Sequence, residues 1–583
     1  MLFTCSSAPW TVNESVTDIF SSRHHRTCLS PQLSPAGITM FSRIFQRNIN
    51  TTEKYKDIIS KSSLISSGSP ALYQLRPKKE KIGNLTRMTV GEQNPEKKNK
   101  TILFVGETGA GKSTLVNALF NCSMGVKFED NIWFEIVEKE ERSQYESQTS
   151  DVIVYEIFDF KEKTLPYSLT IIDTPGYGDT TGNEKDAAVS QRLFDLFSSD
   201  DGVHEIIAVG LVMKASENRL SDRLRYVFDS VVSLFGKDLE KNIIALITHS
   251  DGRKPENVLQ ALHAANIKCA KNERKQPLYF LFDNQQSKQR KQETDMVLKN
   301  AWKVTGRGMS QFTDFLEKSG PQKLMTTVEV LNSRIRLTAC INNLQDRIKL
   351  IELKQTEITQ TQEALKKHEQ EMKKNEEFTV EFEEVFKDKE TIDGGKWWLV
   401  FFKGAITCKV CEENCHYPCT MVPSPEKCVV VKGGHCTVCT RKCPASDHVK
   451  EEKLYVNKTR RVRRIVKEMK EKYEKNKAES EKKSSLLENL EKEMKDLTAE
   501  KTRWLEESYQ HVVRLEQIAL NVDSVSTHVH LDFLIEKMKE KGDTEKVQKL
   551  EEMRKRVDEG TRAGLRYMFG KLAAGKPVKE TVK

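Results

Sequence analysis

The segment from residue 102 to residue 120 constrains this chain most. An apolar run, Ile102 to Val105, leads into Gly106-x-x-x-x-Gly111-Lys112-Ser113 and then into an amphipathic helical pattern. Glycines let backbone N–H groups curl around a phosphate, the lysine reaches the β and γ phosphates, and the serine can ligate Mg²⁺. Because both the strand and the helix that this motif requires are present, we predict a nucleotide phosphate loop. Its residues are Gly106, Glu107, Thr108, Gly109, Ala110, Gly111, Lys112, Ser113 and Thr114.

Length and composition exclude several classes of protein. At 583 residues the chain exceeds one hydrophobic core, and its 37% hydrophobic and 31% charged residues are typical of proteins with much solvated helix. The net charge of +9 is small beside 94 basic and 85 acidic residues, which makes nucleic acid an unlikely partner. No apolar run reaches the roughly 18 to 20 residues of a membrane helix, and the N-terminus does not resemble a secretory signal. We therefore expect a soluble, cytoplasmic protein with reduced thiols.

Changes of pattern along the chain predict an α/β domain followed by helices. Residues 1–80 lack a sustained period and are interpreted as a flexible leader. Residues 98–320 alternate short apolar runs with amphipathic stretches, which predicts a mostly parallel sheet with helices on both faces. Residues 321–377 and 455–570 carry heptad-like apolar stripes and are predicted as coiled-coil helices. These helices could pair as an antiparallel hairpin with the intervening module, residues 395–450, at its tip, or each could pair with a second chain.

Two further segments fit a magnesium-dependent switch. The strand Leu169 to Ile172 ends in Asp173-Thr-Pro-Gly176, so Asp173 would hold Mg²⁺ through water and the Gly176 amide would contact the γ phosphate. A hydroxyl from the loop before Val152 to Phe158 would complete the magnesium shell. We choose Thr149, with Ser150 and Ser147 as alternatives, so the predicted magnesium residues are Ser113, Thr149 and Asp173.

A third segment selects the base. The strand Ile243 to Ile247 leads into Thr248-His249-Ser250-Asp251, where the Asp251 carboxylate can accept two hydrogen bonds from guanine that adenine does not offer. His249 could stack on the base, and Asn284 lies where a last loop could close over it. We therefore predict GTP as the ligand, with Thr248, His249, Asp251 and Asn284 contributing to its site.

The motifs Gly-Glu-Thr-Gly-Ala-Gly-Lys-Ser-Thr, Asp-Thr-Pro-Gly-Tyr-Gly-Asp and Thr-His-Ser-Asp together resemble those of the septin and immunity-associated (GIMAP-type) GTPases over about residues 98–320. The resemblance implies a P-loop GTPase fold, Mg²⁺ dependence, and dimers or filaments assembled through the nucleotide face. Thr-His-Ser-Asp replaces the commoner Asn-Lys-x-Asp but keeps the specificity carboxylate. Tyr177 stands where Ras-like enzymes have a water-orienting Gln, so hydrolysis should be slow and depend on Lys112, Thr149 and Gly176. Arg219 could supply a positive charge across a dimer.

Eight of the 13 cysteines form a short module. Two Cys-x-x-Cys-x-x-x-Cys halves repeat one another, and each Cys-x-x-Cys pair can present two thiolates to a tetrahedral ion, so we predict two structural Zn²⁺ ions. His416, His435 and His448 are spare candidates, and the ligand pairing stays open. Disulfides would require an oxidising compartment. The predicted ligands are Cys408, Cys411, Cys415, Cys419, Cys428, Cys436, Cys439 and Cys443.

Two functions are compatible with this organisation. The first is a slowly hydrolysing GTP switch whose nucleotide state controls self-assembly, or binding of protein effectors, through the C-terminal helices. The alternative is a coiled-coil and zinc scaffold in which GTP is only structural. Nucleic-acid binding has only the basic run Arg460 to Arg464 in its favour, and we interpret this run as a solvated helix face.

Overall fold

The computed structural model describes residues 51 to 555, except residues 52, 83–84, 139–150, 161–165, 177–182, 218–221, 368–378, 393–403, 420–421, 423, 466–485 and 522–524. Two compact units are distinguished, Met1–Lys54 and Tyr55–Lys583, and the second contains all the elements described below. None of the described helices is long and apolar enough to cross a membrane.

The helices in chain order are α1 (Lys56–Ser60), α2 (Lys112–Ser123), α3 (Asn183–Ser198), α4 (Asp222–Val232), α5 (Glu256–Ala264), α6 (Asp295–Lys318), α7 (Met325–Lys367), α8 (Leu486–Ile518), α9 (Val525–Lys541) and α10 (Thr544–Lys555). The strands are β1 (Ser62–Ser66), β2 (Ala71–Leu75), β3 (Lys78–Ile82), β4 (Leu85–Val90), β5 (Asn99–Gly106), β6 (Ile132–Glu135), β7 (Ile153–Ile157), β8 (Ser168–Asp173), β9 (Glu205–Ile206), β10 (Ala208–Lys214), β11 (Ile243–Thr248), β12 (Tyr279–Leu281), β13 (Gln322–Lys323), β14 (Thr379–Thr391), β15 (Gly404–Cys408), β16 (Glu413–Cys419), β17 (Val431–Lys432), β18 (His435–Cys436), β19 (His448–Glu451) and β20 (Lys453–Ile465).

An eight-stranded sheet in the order β12-β11-β10-β5-β8-β7-β4-β3 forms the centre of the α/β domain. Its pairs are parallel except β7 with β8 and β3 with β4, so the sheet is mixed and mostly parallel, close to the prediction. Successive side chains of a strand point to opposite faces. In β5, Leu103 and Val105 accordingly join the core on one face, while Ile102 and Phe104 join the core on the other. Both faces are therefore covered, which is why β5 is apolar without alternation.

The flexible leader predicted for residues 1–80 is wrong in its last part, while residues 1–50 lie outside the described residues. The segment 56–82 forms α1 and three strands, with β3 at the edge of the large sheet and β2 parallel to β6. Tyr55, Ile58 and Leu75 are buried in the same core as Phe134. These elements are too short to show a period in sequence, because partners distant in the chain stabilise them.

The long helices α7 and α8 pack on each other, which is the first of the two arrangements compatible with the sequence. Leu337 and Ile348 of α7 share a core with Trp504 and Leu515 of α8. The helices run antiparallel, since Glu329 near the start of α7 contacts Arg514 and Lys354 further along lies 4.0 Å from Glu493. We call α7 to α10 without the intervening module the helical arm.

Part of the chain between α7 and α8 forms strands where helix was predicted. Residues 455–465 were predicted as helix, but β20 pairs along its whole length with β14 in an antiparallel ribbon. The basic run Arg460 to Arg464 therefore lies on a strand and not on a solvated helix face. Charge pairing across the ribbon explains the difference, since Arg460 contacts Glu384 at 2.8 Å and Arg463 lies 3.5 Å from Glu381.

The cysteine module, which comprises residues 404–451, does not lie at the tip of the arm. It packs against the side of α7, where Arg336 donates to Val429 O at 2.9 Å and Asn343 donates to Asn414 O at 3.0 Å. Within the module, β16, β15 and β19 form a three-stranded antiparallel sheet.

Candidate nucleotide site and cysteine module

The loop between β5 and α2 has the backbone geometry of a phosphate cradle. Gly109 and Gly111 have φ of 76° and 93°, a left-handed conformation that side chains rarely adopt. Lys112 opens α2, is only 6% exposed, and donates from Nζ to Gly106 O at 2.9 Å and Glu107 O at 3.0 Å. The ammonium group is therefore held within the curve of the loop, close to where phosphate oxygens would enter.

The loop is braced against the neighbouring strands. At Gly106 an added Cβ would lie 2.2 Å from Val212 O on β10, so no larger residue fits at the end of β5. Thr248, at the end of β11, donates from Oγ1 to Ala110 O at 2.7 Å. Thr248, which we predicted as a nucleotide contact, thus joins the base-recognition segment to the phosphate loop.

The two described magnesium candidates lie side by side. Ser113 Oγ donates to Asp173 Oδ2 at 2.9 Å, and Asp173 is fully buried at the end of β8. Thr174 Oγ1 donates to Phe104 O at 2.8 Å, which fixes the turn that follows Asp173. Thr149 and its alternatives Ser147 and Ser150 lie outside the described residues, as do Tyr177 and Arg219.

Gly176 approaches the phosphate loop closely. A Cβ at this position would lie 2.5 Å from Thr108 N and 2.2 Å from Thr108 Oγ1, so only glycine allows this backbone contact. The switch motif and the phosphate loop therefore touch directly.

The base-recognition candidates gather at the ends of β11 and β12. Ser250 N donates to Phe282 O at 3.0 Å, which holds the two loops together. His249 has φ of 53°, and burial, supported by the positive charge of Lys214, lowers the pKa of its ring. Asp251 is exposed; its Oδ1 accepts from Arg253 N at 2.9 Å, and its Oδ2 lies 3.7 Å from Arg253 Nε.

Asn284 follows on the next loop. Thr305 of α6 donates from Oγ1 to Asn284 Oδ1 at 3.4 Å, and among the described residues Asn284 Nδ2 is buried without a hydrogen-bond partner. Sequence reasoning missed Thr305, because its position in the middle of a helix gives no motif. It also missed Lys214, the last residue of β10, whose charge reaches His249.

Six of the eight cysteine thiols of the module converge in two neighbouring groups, and within each group the ligand atoms lie within 4.8 Å of one another. Cys439 belongs to both, and the sequence halves are mixed between them. The Sγ atoms of Cys411 and Cys443 are 3.7 Å apart, close to the roughly 3.8 Å expected for two thiolates on tetrahedral zinc with Zn–S bonds of about 2.3 Å. The first group is Cys408, Cys411, Cys439 and Cys443, and the second is Cys415, Cys436, Cys439 and His448.

Of the three histidines His416, His435 and His448, two are candidate metal ligands and one is not. His448 is 4% exposed, and its Nδ1 lies 2.9 Å from Pro444 O, which leaves Nε2 for the thiol group. His416 joins Cys419 and Cys428 in a third group. His435 is exposed, with Nδ1 3.2 Å from Gly433 O, and belongs to none of the three. The described cysteines form no disulfide.

A buried ion pair fastens the module to the arm. Arg347 of α7 donates from Nη2 to Glu413 Oε2 at 2.7 Å and to Val438 O at 2.8 Å, with both charged side chains at most 9% exposed. The Arg347 guanidinium also stacks 4.0 Å from the ring centroid of Trp504 on α8. Glu413 accepts a further hydrogen bond from Thr440 N at 2.9 Å. One side chain thus links α7, α8 and the module.

The α/β domain is similar in sequence to proteins of a known family. Residues 100–306 match the AIG1 family. Human septin-5 is 39% identical over 109 residues, which cover 18% of this chain and 27% of the septin, and rat septin-5 is 37% identical over 83 residues, 14% of this chain and 20% of the septin. The chain thus spans about a quarter of the length of the septins it matches.

Solved structures of Toc33 from Arabidopsis thaliana are also similar. The Toc33 complex with GDP and Mg²⁺ is 16% identical, covers 38% of this chain and 86% of Toc33, and has a TM-score of 0.27. The Toc33 complex with Mg²⁺ and GMPPNP is 15% identical, covers 39% of this chain and 88% of Toc33, and also has a TM-score of 0.27. By its family match and its motifs, the segment 100–306 of this chain is a P-loop GTPase domain of the AIG1 family.

Proposed function

We propose that this chain is a GTP-binding switch that hydrolyses GTP slowly with Mg²⁺ and whose nucleotide state controls self-assembly or partner binding through the helical arm. The contact between α3 and α7 carries this proposal. Because α3 is the helix after the Gly176 motif and α7 is the first helix of the arm, a change at the nucleotide has a short path to the arm.

The phosphate end of the site supports binding of a Mg²⁺ nucleotide. Lys112 would exchange its bonds to Gly106 O and Glu107 O for phosphate oxygens, while Ser113 and Asp173 already lie together where the ion would bind. Thr149 is proposed from the sequence as the residue that completes the magnesium shell. Bound Mg²⁺ would neutralise charge on the β and γ phosphates.

Guanine is the proposed base. Asp251 is exposed, so its carboxylate can accept the guanine N1–H and amine hydrogens. The lowered pKa of His249 keeps its ring neutral, which suits stacking against a base. Asn284 offers an amide on the adjacent loop.

Slow hydrolysis is proposed because Tyr177 follows Gly176, and a tyrosine does not orient the attacking water as a glutamine does. Arg219 from a second copy would add positive charge, so dimers through the nucleotide face would hydrolyse faster. Self-association and hydrolysis would then be coupled.

Packing supports the path from nucleotide to arm. Leu193 and Leu196 of α3 share one buried core with Leu331 of α7. Arg334 of α7 donates to Ser233 O at 2.9 Å and to Asn521 O at 2.7 Å, which ties the arm to the α/β domain. Movement of α3 would therefore disturb a tightly packed junction, which does not deform gradually.

Two Zn²⁺ ions are proposed for the first two thiol groups, bridged by Cys439. Four ligands per ion, thiolates with one imidazole, match structural zinc. Without metal the module has a core made largely of cysteines, so zinc would supply much of its folding free energy. Free thiols at this density fit the reducing cytoplasm.

Light scattering of the full chain tests the proposal. With GDP and with a non-hydrolysable GTP analogue the molar mass should differ, and Lys112→Ala should remove the difference. A scaffold with structural GTP would give one molar mass and retain its nucleotide without exchange or turnover. Those two results together would exclude the switch.

A further inference from the structure

The third group, His416, Cys419 and Cys428, is separate from the two thiol groups that share Cys439. Cys419 and Cys428 are each 2% exposed, and His416 Nδ1 lies 3.1 Å from Cys428 Sγ. None of these three residues belongs to the first two groups. Cys419 and Cys428, predicted as ligands of two ions, therefore need a site of their own.

The strand geometry explains why adjacent residues serve different sites. Cys415 and His416 are neighbours in β16, so their side chains point to opposite faces, one to the second thiol group and one to the third. The pairing of β15 with β16 shifts register between Gly404 and Ile406, which oppose Cys419 and His416 respectively. This irregularity inserts one residue and restores Cys419 to the His416 side.

We infer that the module holds a third Zn²⁺ ion, bound by His416, Cys419 and Cys428, in addition to the two ions of the proposed function. Thiolate and imidazole are the ligand types that favour zinc over magnesium or calcium. Tetrahedral zinc would place the nitrogen and sulfur about 3.6 Å apart, so the observed 3.1 Å requires a movement of about half an ångström.

Three protein ligands leave a fourth position for water or another exchangeable ligand. Ile406 of β15 pairs with His416 on one side and with Lys450 of β19 on the other, and Lys450 donates from Nζ to Val422 O at 2.9 Å.

The test is the zinc content of the full chain purified under reducing conditions. The wild-type chain should contain three Zn²⁺ ions. The variants His416→Ala and Cys428→Ser should each contain two, and the matched control His435→Ala should contain three. Substitution of cobalt for zinc provides a second readout. Loss of one Cys-Cys-His site should lower the intensity of the thiolate-to-cobalt absorption by the contribution of that site, while the spectrum of the other sites keeps its shape. GTP binding by each variant reports that the rest of the chain is folded.

The inference depends on the zinc proposal, and the outcomes separate the two. Two zinc ions in wild type, unchanged in Cys428→Ser, would overturn the third site and leave the two-ion module standing. A wild-type chain without zinc would overturn the zinc module as a whole. Equal loss in His435→Ala and His416→Ala would show that the loss does not report a ligand.

Discussion

Replacement of Arg347 by Met tests how the cysteine module is attached to the arm. Methionine keeps an unbranched apolar stem but removes the hydrogen bonds to Glu413 and Val438 and the stacking on Trp504. Removing one partner of a buried ion pair costs about 3 to 5 kcal/mol, because the other charge stays buried. Glu413 retains its bond from Thr440 N, so we expect about 3 kcal/mol, or roughly a 100-fold rise in the population of the undocked module.

Hydrogen exchange by mass spectrometry of the metal-loaded chain measures this population. Peptides that cover residues 411–416 and 436–443 should exchange roughly 100-fold faster in Arg347→Met. Lys349→Met is the matched control, since Lys349 is exposed on the same helix. The double variant Arg347→Met/Glu413→Gln should regain part of the protection, because it removes the stranded charge. Unchanged exchange in Arg347→Met, or an equal change in Lys349→Met, would refute the reasoning.

Three further predictions concern the nucleotide site and the arm. Lys112→Ala should weaken GTP binding at least about 100-fold by calorimetry, because charge-assisted bonds to two phosphates are lost, and unchanged affinity would contradict the site. Asp251→Asn should weaken the binding of GTP and strengthen the binding of xanthosine triphosphate by about 10-fold or more in a competition assay. An unaltered preference for GTP would show that Asp251 does not recognise the base. His530 contacts Thr338 Oγ1 at 3.3 Å, and burial lowers the pKa of its ring to about 4. The neutral ring therefore stabilises the folded arm above pH 6.5, the pKa of an unfolded histidine. The free energy of unfolding should fall by up to about 3 kcal/mol as the pH drops towards 4. Urea unfolding of the helices at pH 7.5 and pH 5 should show part of this loss in wild type and not in His530→Gln.

The sequence predicted the α/β domain well because its signals are local. The phosphate loop carries its own glycines, lysine and flanking strand, so Lys112 and Ser113 fall where the motif requires. Asp173 was predictable from the end of an apolar strand. The hydrogen bond from Thr248 to Ala110 was not predictable, since the two residues are 138 positions apart and no local pattern relates them.

The less predictable features depend on distant partners. Strands β1 to β3 carry too few apolar residues to be recognised before β6 and β4 pair with them. Residues 455–465 were predicted as helix because the acidic strand β14 that pairs with them is distant in sequence. Similarly, spacing alone gives two repeated halves of cysteines, while the fold mixes those halves and shares Cys439.

The most direct test of the switch is hydrogen exchange of the full chain with bound GDP and with a non-hydrolysable GTP analogue. The account predicts that α3 and the first half of α7 differ in exchange between the two states, because their shared core transmits the movement of the Gly176 motif. Lys112→Ala should abolish the difference. Exchange that differs at the phosphate loop but is identical in α3 and α7 would contradict the proposed control of the arm by nucleotide.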